Sequence, residues 1–201
     1  MQRFFAIILG VFVMSIIQIN TVSAYDGEYQ GITNNEEIIQ ALDILKDTDA
    51  KWVIDIVKGD NHSQRPVRIM FRKLEKMNPA YRTYEALTCV DDNDKIYIFI
   101  NSKHKEAPTE ALAALLSHEV LHQDDVNSIL EETRAWTNEA ITWSAFTKNN
   151  PSLVNAPGKL VKRLNKLASI YKSTGREGIQ KKVMSIPAYK DLAMSAAAGD
   201  N

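Results

Sequence analysis

The sequence predicts an α+β fold: a small antiparallel or mixed sheet in the first half, then a mostly helical second half. Runs rich in β-branched and aromatic side chains, residues 52–57, 66–71 and 95–100, are concentrated in the first half. Clusters of Gly, Asp and Asn separate these runs as turns do. From Pro108 onward the apolar residues recur instead at helical spacing.

Taken in order, residues 1–24 have the three-part layout of a cleavable secretory signal. Arg3 supplies the basic start, residues 4–19 an apolar run, and Val22, Ser23 and Ala24 a small-residue cleavage site after Ala24. The chain is therefore expected to be secreted or periplasmic, with no stable membrane insertion after cleavage. One domain is expected over residues 25–148, with a helical C-terminal segment, residues 149–201, packed on it.

Asn34, then Glu36 and Glu37, then Ile38, Ile39, Leu42 and Leu45 predict a helix over residues 35–47. Residues 52–57 and 66–71 read as strands joined by the turn-like Gly59 to Ser63, giving a first hairpin. An extended run over 81–90, the turn Asp91-Asp92-Asn93-Asp94 and the strand 95–100 predict a second. The acidic turn lacks the ligand spacing of a calcium loop and reads as solvated.

Pro108 opens a helix whose apolar face runs through Leu112, Leu115 and Leu116 to His122, and a further helix spans residues 128–146. Beyond Pro157, Leu160, Val161, Leu164 and Leu167 keep the helical period. Lys159, Lys162, Arg163, Lys166 and Lys172 read as a solvated basic face.

With 24 basic and 25 acidic side chains the net charge is −1, which argues against nucleic acid as a partner. The single cysteine, Cys89, excludes an intramolecular disulfide and reads as a buried structural thiol.

Chemistry concentrates in His118-Glu119-Val120-Leu121-His122. On a helix, residues i and i+4 share a face, so both imidazoles can bind one cation. Zinc suits such a pair, and Glu119 beside it can move a proton to and from a zinc-bound water. A third protein ligand is needed, and no histidine follows His122, so the ligand must be acidic: Glu131, Glu132 or Glu139. Asp124 and Asp125 stand too close in sequence to fold back. Asp124, Asp125 or Asn127 are candidates to orient the imidazoles, and Arg134, Tyr171 or Tyr189 to stabilise an oxyanion.

These residues resemble the zincin metallopeptidases, and within them the gluzincin type, whose histidine pair is followed by a glutamate on a second helix. Glu132-Thr133-Arg134-Ala135 looks like that glutamate with a small residue three positions on, and 138–142 is similar to the thermolysin-like version of the element. The resemblance covers about residues 95–146. It implies one zinc ion on His118, His122 and Glu132, with Glu119 as general base and acid. It also implies a peptide or protein substrate held along an edge strand over 95–101. The alternatives are an exported metal-binding module of similar shape without peptidase activity, and an envelope-associated interaction protein using the basic C-terminal helices.

Overall fold

The computed structural model describes residues 27–124 and 127–195; the signal-like residues 1–24 lie outside them. The chain is α+β, with a three-stranded mixed sheet and six helices among the described residues.

Helix α1 (Glu36–Leu45) forms where expected and buries Ile38, Ile39, Leu42 and Leu45. Helix α2 (Trp52–Lys58) stands where a strand was expected, so the first hairpin does not exist. Val53, Ile54 and Val57 are all buried. Their spacing suits one face of a short helix as well as a strand, and packing in the main core selects the helix. Gly59 ends it at φ 126°, where an L side chain would be strained.

Strand β1 (Arg68–Arg72) leads into the single turn α3 (Leu74–Met77) and a 3-10 turn over Pro79–Thr83. Strands β2 (Ala86–Val90) and β3 (Ile96–Asn101) form the expected antiparallel hairpin, with Thr88 opposite Ile98. Asp91 ties its turn, the Oδ1 oxygen accepting from the amides of Asn93 and Lys95 at 2.9 Å each. β1 pairs with β3 in parallel, Ile69 opposite Ile98, so the order is β1-β3-β2. β3 is thus the central strand, and its backbone is paired on both sides. The expectation that residues 95–101 offer an edge to substrate is corrected: the outer strands are β1 and β2.

Helix α4 (Thr109–Glu119) is buried along almost its whole length, between the sheet and α1 on one side and α5 (Ile129–Asn149) on the other. After a 3-10 turn at Pro151–Asn155 comes α6 (Lys159–Met184), antiparallel company for α5. Gly175 interrupts α6 with φ 61° and ψ −155°, a conformation glycine adopts readily and other residues do not. The turns beyond it carry Ile179 and Val183 into a second apolar cluster with Ile129, Trp136, Ala140 and Leu167. A last 3-10 turn, Pro187–Tyr189, brings the chain back to α5. Cys89 is half-buried on β2 rather than enclosed. Among the described residues no helix is long and apolar enough to cross a membrane.

Candidate metal centre

Helix α4 ends at Glu119, one residue past His118, so His122 is not on the helix as expected. The chain tightens instead: Leu121 N–H donates to the His118 carbonyl at 3.1 Å and His122 N–H to the Glu119 carbonyl at 3.2 Å. These three-residue bonds wind the segment more tightly than an α-helix. They still leave both imidazoles on one side, with the two Nε2 atoms 3.2 Å apart.

Glu132 comes from the first turn of α5. That helix starts at Ser128, whose hydroxyl accepts from the Glu131 amide. The Glu132 carboxylate lies 3.9 Å from His118 Nε2 and 3.8 Å from His122 Nε2. Among the described residues His118, His122 and Glu132 are the group able to hold a metal ion, with one ligand atom from each lying within 4.8 Å of the others. Tetrahedral coordination at zinc–ligand distances of about 2.0–2.2 Å separates ligand atoms by roughly 3.3–3.6 Å. The histidine pair is close to that spacing, whereas the two Glu132 distances belong to its two different oxygens, so the carboxylate must move in for one oxygen to serve both.

The surroundings assign the other carboxylates. Glu131 receives a hydrogen bond from His122 Nδ1 at 2.7 Å, so it orients that ring rather than competing for the ion. Burial alone would lower the His122 pKa, but Glu131, with the charges of Glu119 and Glu132, outweighs it and holds the ring up to about 9. A metal must therefore displace a proton from it.

Glu139, fully buried two turns along α5, sits on the far side of His118, with Oε2 3.4 Å from Nδ1. That contact is too poorly aligned to be a hydrogen bond, and His118 Nδ1 is a buried polar atom without a partner. Loading Nε2 with a metal fixes the ring proton on Nδ1, where Glu139 is the adjacent acceptor. The donor set and this orphaned nitrogen both fit a bound cation. Glu139 is itself gripped through both oxygens by Arg163, NH2 donating at 2.8 Å. Burial raises the Glu139 pKa, and Arg163 and His118 reverse that, keeping it below the ordinary carboxylate range. Arg163, expected on a solvated face, thus points inward, and its guanidinium also stacks 4.8 Å over the Trp136 ring.

Glu119 does not point at an outer partner. Its Oε2 accepts from the Thr88 hydroxyl on β2 at 2.8 Å, and its Oε1 lies 3.9 Å from His118 Nε2. The sequence offered no means of pairing Thr88 with Glu119. Two cavities of about 300 and 310 Å³ meet here, both lined by Tyr84, Ala86, His118, Glu119 and Tyr189. β2 forms one wall, so the sheet edge that borders the site is β2.

Of the residues considered for orienting the imidazoles, Asn127 instead donates through Nδ2 to Glu132 Oε1, and Asp124 lines the cleft. Asp125 lies outside the described residues. Of the three possible oxyanion donors only Tyr189 lines the cleft; Arg134 is exposed and Tyr171 borders a separate groove between α5 and α6.

No protein-family model, curated protein or solved structure matches this chain.

Proposed function

We propose that the protein is a zinc-dependent metallopeptidase of gluzincin-like build, with His118, His122 and Glu132 as ligands and Glu119 as general base and acid. The observation that carries the reading is the pairing of a three-ligand corner with a carboxylate that is not needed as a ligand and faces a cleft. Two imidazoles and one carboxylate are a donor set suited to zinc, and three protein ligands leave a tetrahedral ion one open position.

When bound, zinc supplies Lewis acidity, acidifying water and polarising a carbonyl. The chain supplies the rest. Glu119 stands within reach of a nucleophilic water beside the ligand corner, takes its proton, and passes it to the leaving amine. Thr88 holds the Glu119 carboxylate by one oxygen, leaving the other turned toward the histidines. Glu131 holds the His122 imidazole from behind, and Glu139 stands behind that of His118. The edge strand β2 beside the cleft is where an extended peptide would lie. The leader-like residues 1–24 support an extracytoplasmic setting.

The test is Glu119→Gln. The variant should keep its zinc and lose at least about a hundredfold in peptide hydrolysis, the range of a general base. A zinc-loaded variant with full activity refutes the mechanism.

A further inference from the structure

The segment after α6 returns to the site, and three contacts show how. Ala193 and Met194 accept, through their carbonyls, from the amides of Ile129 and Leu130 at 2.9 and 3.0 Å. Those are the first two amides of α5, donors that no residue of the helix itself can satisfy. The turn they pin carries Glu131 and Glu132, the residue behind His122 and the carboxylate of the ligand corner. Tyr189 closes the third side. Its ring meets Trp136 edge-on at 6.4 Å, its hydroxyl lies beside the Glu132 carboxylate, and it lines both halves of the cleft.

Glu132 thus accepts from two donors, Asn127 before the helix and Trp136 Nε1 at 3.1 Å within it, and Tyr189 from the C-terminal segment packs on that Trp136 with its hydroxyl beside the carboxylate. The first two come from α5 and its approach. Tyr189 is the one that depends on residues more than fifty positions away.

We propose that residues 186–194 form a strap that positions Glu132 for the metal, so that docking of the strap and binding of the ion strengthen each other. The inference rests on the metal-site reading above and assigns Tyr189 as a positioning residue. The coupling is reciprocal by thermodynamic necessity: if the docked strap favours the ion, the ion favours the docked strap. Outer partners of metal ligands alter affinity by about 10–100-fold, and loss of one neighbour among several belongs at the lower end.

The experiment uses the full chain and its Tyr189→Phe variant, which keeps the ring against Trp136. Zinc affinity is measured by competition with a chromophoric chelator. Amide hydrogen exchange at Ile129 and Leu130 is followed with and without zinc. The expected results are an affinity about tenfold lower in Y189F, zinc-dependent slowing of both amides in the parent chain, and less slowing in the variant. A Y189F affinity within about twofold of the parent, or exchange at Ile129 and Leu130 that ignores zinc, overturns the strap while leaving the metal centre standing. A parent chain that takes up no zinc overturns both. Should Y189F fail to fold, the exchange comparison on the parent chain decides alone.

Discussion

Arg163→Met should be among the most damaging single substitutions outside the apolar core. Glu139 has no solvent exposure, and both its carboxylate oxygens are bound by Arg163. Removing the guanidinium leaves a buried anion beside the His118 ring, with Nδ1 at 3.4 Å. Breaking a buried pair from one side costs about 3–5 kcal/mol. The contact with the His118 ring remains, so the lower end, about 3 kcal/mol, is expected. Methionine keeps an apolar contact with Trp136, so little of the loss is packing. For a domain of this size that corresponds to a Tm lower by roughly 6–12 °C. The assay is thermal and urea unfolding of the metal-free protein, run as a double-mutant cycle with Glu139→Gln. The double variant carries no charge at this pair and should recover about 1–2 kcal/mol relative to R163M. A loss under about 1 kcal/mol in R163M, or a cycle without coupling, would refute the argument that this ion pair is desolvated.

Three further outcomes follow from the geometry. Thr88→Val removes the donor holding Glu119 without changing shape, so kcat/KM should fall about tenfold at unchanged zinc content, as steady-state kinetics with metal analysis would show. For Glu85, burial raises the carboxyl pKa, but the hydrogen bonds from His104 and Lys103 outweigh it and hold it down to about 2. A depressed carboxylate stabilises the fold above its unfolded pKa of 4.5 and loses that contribution as the pH falls toward 2, about 1–2 kcal/mol after discounting its partial exposure. Glu85→Gln should therefore narrow the stability gap between about pH 6 and pH 3 in urea titrations, and an unchanged gap contradicts the assignment. Gly175→Ala forces a side chain into a backbone conformation L residues avoid and should cost about 1–3 kcal/mol by denaturant unfolding, whereas a neutral change would mean the kink is not needed.

The helical half was legible because its apolar periods are long: α5 and α6 each repeat over many turns, and long strongly periodic segments leave little ambiguity. Short runs were not. Trp52–Lys58 has apolar residues that fit a strand or a seven-residue helix equally, and burial in the core decided. The parallel pairing of β1 with β3 depends on a crossover that no local signal encodes. At the site, His118 and His122 converge as their spacing suggested, although His122 reaches its place from a tightened turn beyond the helix, and of the three candidate glutamates the one favoured by resemblance, Glu132, joins them. Arg163 was expected on the solvated face, and the place of Glu139 behind His118 was not foreseen, because which face of a helix is inward depends on its neighbours. One signal was available: Glu132, Trp136 and Glu139 fall at i, i+4 and i+7 and so share one face of α5. Thr88 and Tyr189 are brought in by strand and strap packing, which sequence spacing does not reveal.

Metal content of the purified chain, after extensive dialysis against metal-free buffer and reloading with zinc, tests the central claim most directly. The account predicts one zinc per chain in the parent and in Glu119→Gln, and less than about a tenth of that in the alanine variants of His118, His122 and Glu132. A parent chain that holds no zinc, or a Glu132→Ala variant that keeps a full equivalent, would contradict it.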